Sequence, residues 1–104
     1  MRVIIEDDYL ADLYKNGKTI GKPKFNIDIE NRFIRKVILI ENAKNTNDLR
    51  NNKSLHFEKL LGNLEGKYSI RINLAFRILL RIEANGQDTR LELICIEELN
   101  NHYS

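Results

Sequence analysis

The sequence has one cysteine, one proline, two histidines and no tryptophan. The lone Cys95 excludes an internal disulfide. Inside the apolar run Leu91–Ile96 it reads as a buried, inert thiol, which suits a reducing compartment. His56 and His102 are far apart, and there is no HxxxH, no CxxC and no carboxylate cluster at ligand spacing. A structural or catalytic metal is therefore not expected. No glycine-rich loop opens a helix, which removes the nucleotide-binding fingerprints, and Ser54, Ser69 and Ser104 lack the context of a nucleophile elbow. No cofactor is expected. No apolar run approaches the ~20 residues that span a bilayer. No basic start followed by an apolar stretch marks a signal peptide, so the expected location is cytoplasmic, away from membranes. Repeats and low-complexity tracts are missing too.

What remains is an ordinary globular composition, with 42% hydrophobic and 31% charged residues in 104. That length predicts one domain spanning residues 1–104. Such a domain has room for one core but no large internal pocket, so an active site would be an open groove suited to a polymer. The formal net charge is only +2, yet the charges are segregated. Lys15 to Lys36 carries seven basic residues against Asp28 and Glu30, and Arg50 to Arg81 carries seven against Glu58 and Glu65. Glu83 to Glu98 reverses the sign, with five acidic residues against Arg90. Such stretches either attract a polyanion or form solvated charged surface, and composition alone leaves both open.

The hydrophobic period changes once along the chain. Val3–Ile5 is a short strand-like opening, and Asp7–Asn16 predicts a short helix with acidic residues first and Lys15 last. Gly17–Lys24 reads as a linker. Phe25–Ala43 predicts a long helix, because Ile27, Phe33, Ile34, Val37, Ile38 and Leu39 recur at helical spacing. Asn45–Lys53 is polar, with Leu49 placed to anchor a helical turn. After Ser54 the pattern becomes strand-like. Leu55–Leu61 predicts one strand and Lys67–Asn73 a second, whose Tyr68, Ile70 and Ile72 alternate with Lys67, Ser69 and Arg71. Phe76–Glu83 predicts a third, Ala84–Thr89 a hairpin loop, and Arg90–Leu99 the last strand. Helices followed by hairpin-linked strands give an α+β fold, with N-terminal helices packed on one face of a small antiparallel sheet.

If Ile70, Ile78 and Leu80 pack on the helix, Arg71, Arg77 and Arg81 share the uncovered face. Guanidiniums grouped there would bind phosphates by forked hydrogen bonds. Alternatively they would pair across strands with Glu83 and Glu92. The pattern allows either.

The segment Leu55-His56-Phe57-Glu58-Lys59-Leu60-Leu61-Gly62-Asn63-Leu64-Glu65-Gly66-Lys67-Tyr68-Ser69-Ile70-Arg71-Ile72 is followed by Phe76-Arg77-Ile78 and by Asn101-His102-Tyr103. Together they carry the order L-x-G-x-x-x-G-x-[YW]-S-x-R-[IV], then an arginine in an apolar strand, then a terminal His-Tyr. This set resembles the RelE/ParE superfamily of bacterial toxins, nearest its HigB-like and YoeB-like branches. The resemblance covers about half of the chain; the N-terminal half agrees only in its two helices. It departs at Leu61, where relatives often carry lysine, and in the residues before the final His-Tyr.

The resemblance implies a RelE-like fold and a toxin of a type II toxin–antitoxin system. It also implies an mRNA endonuclease, ribosome-dependent or free, silenced by a cognate antitoxin of helix-turn-helix type. Glu58 falls on the catalytic glutamate of YoeB-like toxins, Arg77 on the arginine after the turn, and His102 and Tyr103 on the C-terminal pair. His56 falls on the histidine that HigB-like toxins carry here. In the implied reaction an RNA 2′-hydroxyl attacks its own 3′-phosphate without a metal. Glu58 would act as base, Arg77 as phosphate stabiliser and His102 as acid, with Tyr103 stacking or positioning. Arg71, Arg81, Lys59 and Lys67 would hold the RNA backbone. Each residue also has an ordinary alternative. Glu58 would pair with Arg77 or Lys59, His56 would be a hydrogen-bonded strand residue, and Tyr103 would pack on the sheet edge. Two other functions share the fold: a gyrase-inhibiting toxin of ParE type, and a non-catalytic module that binds RNA or an antitoxin.

Overall fold

The computed structural model describes residues 1–85 and 88–101. The chain opens with strand β1 (Arg2–Ile5) and helix α1 (Asp8–Asn16). Asp7 starts α1 by accepting the amide of Leu10 at 2.9 Å, and Gly17 ends it at φ 74°, a left-handed conformation in which a side chain would be strained. Helix α2 (Ile27–Asn42) begins at Asn26, whose side chain accepts from the Ile29 amide at 2.9 Å. Its Ile29, Phe33, Val37 and Ile40 are spaced four, four and three apart, and all are buried on one stripe. The segment between α1 and α2 is tied down rather than loose. Buried Glu30 accepts from the Tyr9 hydroxyl and, at 2.6 Å, from Thr19 Oγ1, while Tyr9 Oη accepts the Lys24 amide at 2.9 Å.

Helix α3 (Thr46–Asn51) starts at Asn45, and its first amide and hydroxyl donate to Glu92 at 3.0 and 2.6 Å. Glu92 therefore caps this helix, and among the described residues it pairs with none of Arg71, Arg77 and Arg81. The strand expected over Leu55–Leu61 shrinks to two residues. Lys53–Leu55 is a 3-10 turn whose start Asn52 accepts from the Ser54 amide and hydroxyl, and His56 leaves it at φ 45°. Local polar capping wins over the alternating pattern here, and only β2 (Glu58–Lys59) joins the sheet. His56 is consequently not a strand residue.

Strands β3 (Lys67–Arg71), β4 (Arg77–Asn85) and β5 (Asp88–Asn100) complete a five-stranded sheet in the order β1-β5-β4-β3-β2. The ladder pairs Ala84 with Glu92 and Asn85 with Asp88, so strand pairing reaches into the span expected as an Ala84–Thr89 loop. β1 runs parallel to β5, pairing Val3 with Ile94 and Ile5 with Ile96, so the sheet is mixed rather than purely antiparallel. One face packs Ile70, Ile78, Leu80, Ile94 and Ile96 against Leu10, Leu13, Phe33, Val37 and Ile40 of the helices. The result is the expected α+β arrangement, with the other sheet face free of helices.

A bulge interrupts the β4–β5 ladder. Leu79 pairs with Glu98 but Leu80 pairs with Ile96, leaving Glu97 as the extra residue. Without it, strict alternation would bring Glu98 inward and Leu99 outward. With it, Leu99 is buried and Glu98 is exposed. No helix among the described residues is long and apolar enough to cross a membrane.

Candidate active site on the uncovered sheet face

The uncovered face carries Ser69 and Arg71 from β3, Arg77, Leu79 and Arg81 from β4, and Cys95 from β5. Arg71 stands directly opposite Arg77, and Lys67 directly opposite Arg81. The β3–β4 turn fixes this register. Asn73 Oδ1 accepts the amides of Ala75 and Phe76 at 2.8 and 2.7 Å, and the Ile72 amide donates to Phe76 O at 2.9 Å.

Glu58 is brought in from the edge. Phe57 stacks on Tyr68 with centroids 5.0 Å apart and planes at 9°, and Arg50 lies 5.8 Å over the Phe57 ring. These contacts anchor the chain just before β2, so that Glu58 pairs with Ser69 in the ladder. Arg77 Nη1 donates to Glu58 Oε2 at 3.3 Å and to Ser69 Oγ at 3.2 Å. The Arg77 side chain is only 12% exposed, whereas that of Glu58 is 54% exposed. The guanidinium is thus held close to the sheet, and the carboxylate faces solvent where a substrate could reach it. Arg71 Nε is buried and has no hydrogen-bond partner among the described residues. Two facing arginines repel each other, and an unpaired buried donor is costly. A bound anion would relieve both.

The other sequence-selected cations are placed differently. Arg81 donates to Glu6, to Glu83 at 3.0 Å and to Glu97 at 3.2 Å. These carboxylates hold its pKa well above the ordinary arginine value, Glu6 most strongly. The reciprocal hydrogen bond from Arg81 lowers the pKa of Glu6. Lys67 Nζ meets Glu97 at 2.5 Å. Lys59 is exposed and pairs with Tyr68, which by alternation puts it on the opposite face from Glu58. His56 is exposed, two residues before Glu58. His102 and Tyr103 lie outside the described residues; the described ladder of β5 ends at Asn100, opposite Arg77. Cys95 is buried near Arg81, and burial raises its thiol pKa, as the inert reading requires. Among the described residues no group of His, Cys, Asp and Glu side chains is arranged to hold a metal.

The sequence pattern missed the partners of these arginines. The pattern gives Ser69 no role of its own beyond its place beside Arg71 on the outward side of the strand, yet it is fully buried and bonded to Arg77. Its place at i−2 from Arg71, on the same side of the strand, is the signal the sequence carries. Glu6 lies 75 residues from Arg81, and no local pattern connects them.

Comparison with known proteins agrees with this architecture. The chain is 33% identical over 79 residues to Toxin HigB-1 of Vibrio cholerae serotype O1, a match that covers 76% of this chain and 81% of that one. Its fold is similar to that of a YoeB/ParE toxin from Agrobacterium tumefaciens, with a TM-score of 0.55 at 16% identity, covering 99% of this chain and 100% of the other. It is also similar to a chain in a YoeB–YefM complex from Staphylococcus aureus, with a TM-score of 0.52 at 22% identity, covering 99% and 98%. Residues 4–93 match the family described as HigB-like toxin, the RelE-like toxin of the type II toxin–antitoxin system HigB. The chain therefore belongs to the HigB-like toxins of type II toxin–antitoxin systems.

Proposed function

We propose that this toxin is an endoribonuclease that cleaves translated mRNA at the Glu58–Arg77 end of its open sheet face. The observation that carries the reading is the Arg77 guanidinium, held low on the face between Glu58 and Ser69 and opposite Arg71. A phosphate bridging Arg71 and Arg77 would sit beside a solvent-facing carboxylate, the arrangement that internal transfer of an RNA phosphate needs.

In the proposed reaction the Glu58 carboxylate takes the proton of a ribose 2′-hydroxyl. The 2′-oxygen forms a bond to the adjacent phosphorus as the bond to the 5′-oxygen of the next nucleotide breaks. Arg77 and Arg71 stabilise the charge on the phosphoryl oxygens. The leaving oxygen takes a proton from His102, since an imidazole titrates near neutrality. The products are a 2′,3′-cyclic phosphate and a 5′-hydroxyl, and the scheme calls on no metal. Tyr103 would position the base or phosphate. Backbone binding narrows to Arg71, because Arg81 and Lys67 are engaged by carboxylates and Lys59 lies on the opposite face from Glu58. The partner is a cognate antitoxin of helix-turn-helix type. The fold shared with the toxin of the YoeB–YefM complex supports an antitoxin partner.

The test is end-mapping of a message translated in a purified system to which the chain is added. Cleavage should leave 5′-hydroxyl and 2′,3′-cyclic phosphate ends, and Glu58→Gln should slow it by about 10²-fold or more. Cleavage leaving 5′-phosphate ends, or Glu58→Gln and His102→Ala both cutting at the wild-type rate, would sink the scheme. An intact message would refute nuclease activity altogether.

A further inference from the structure

We propose that Ser69 is a positioning residue that aims Arg77 at the substrate phosphate, a role that rests on the nuclease reading above. Ser69 is fully buried in the middle of β3, with Glu58 as its Cα partner on one side and Leu79 on the other. A buried hydroxyl on a strand needs a partner, and this one accepts from Arg77 Nη1 at 3.2 Å. The same nitrogen reaches Glu58 Oε2 at 3.3 Å. One guanidinium nitrogen is thus shared between a neutral acceptor beneath it and a charged acceptor beside it.

That sharing matters for the chemistry. An arginine side chain has many rotamers, and its charge-assisted bond to a carboxylate is the stronger of the two attractions. Without the hydroxyl, Glu58 is the remaining acceptor for Arg77 Nη1 among the described residues. The side chain would then close onto the carboxylate. A closed pair would occupy the oxygen that must take the 2′-proton, and would turn the guanidinium away from Arg71 across the ladder. Ser69 therefore keeps the base and the phosphate binder adjacent but not mutually quenched. A purely structural serine would fill space and satisfy a donor, and its loss would lower the folded fraction without redirecting Arg77.

The full-length chain, Ser69→Ala and Ser69→Thr would be compared in the message-cleavage assay, together with the Arg77 side-chain Nε–H resonance in solution. Ser69→Ala should lower kcat by about tenfold, as loss of one hydrogen bond to a charged group does, and change KM by less than about twofold. Ser69→Thr, which restores the hydroxyl, should recover most of the loss, and the Arg77 resonance should move in the alanine variant alone. An unchanged kcat in Ser69→Ala, or an unmoved Arg77 resonance in a folded alanine variant, would overturn the positioning role. So would equal losses in the alanine and threonine variants when both fold. If wild type leaves the message intact, the nuclease reading fails separately. The resonance then decides whether Ser69 holds Arg77 at all.

Discussion

Arg77 and Arg81 lie four residues apart on the same face of the same strand, and their surroundings differ sharply. Around Arg81, Glu6, Glu83 and Glu97 offset the two charges of Arg81 and Lys67. Around Arg77, the facing cation is Arg71, and the ion pair among the described residues is with Glu58 alone. Arg81 on β4 ties Glu97 of β5 to Glu6, which follows β1 and lies 75 residues away, so its end of the face is bound up with holding the sheet together. The Arg77 end keeps an excess of positive charge beside a carboxylate that water can reach. A shared face can therefore divide its arginines between architecture and ligand binding, and the division is set by which acidic residues arrive from other strands.

The strongest way to break this contrast is to exchange the two losses. Arg77→Ala should reduce message cleavage by about 10²–10³-fold while the protein still folds. Arg81→Ala should leave cleavage by the folded fraction within about threefold, and lower the melting temperature instead. Steady-state cleavage and thermal unfolding on both variants check the pair, and the idea fails if the two arginines affect the same observable.

A smaller effect sharpens the architectural side. The Arg81 hydrogen bond lowers the pKa of Glu6, so the Glu6 contribution to stability is present above its ordinary value near pH ~4.3. It is lost as the pH falls through the lowered value. Wild-type stability should therefore drop over that acidic window, and Glu6→Gln should flatten the drop. Urea titrations between about pH 3 and 6 read this directly; parallel curves for both proteins would contradict it. The smallest effect concerns His56. It is the non-glycine residue with positive φ among the described residues, and its imidazole makes no hydrogen bond there. His56→Gly should raise stability by up to about 1 kcal/mol. A loss of cleavage above tenfold in that variant would bring the imidazole into the chemistry.

The parts that were legible in the sequence are those governed by local period. The alternation of Ile70, Ile78 and Leu80 depends on spacing within one element, and spacing is visible; in α2 the expected Phe33 and Val37 are buried, but Ile27, Ile38 and Leu39 are exposed and Ile29 and Ile40 complete the buried stripe instead. The outward placement of Arg71, Arg77 and Arg81 followed from the same rule. Three features were not legible, for different reasons. The 3-10 turn before β2 arises from Asn52 capping Ser54, which competes with an apolar alternation that looked like a strand; Leu61, counted within it, is 78% exposed. The parallel pairing of β1 with β5 joins Val3 to Ile94, and a strand's period does not name its neighbour. The separation of Arg81 from Arg77 depends on Glu6 arriving beside one and not the other, which is again a long-range fact.

The extra residue at Glu97 acts as a parity switch. Upstream of it, even-numbered positions such as Ile94 and Ile96 face the helices; downstream, Leu99 does, and Asn100 comes to stand opposite Arg77. A one-residue deletion there would alter no side chain beyond it, yet would reverse which side of the sheet Leu99 and Asn100 occupy. The faces of Leu99 and Asn100 are thus written in a reading phase that the bulge sets, and an insertion or deletion at that spot would reassign them without changing either letter.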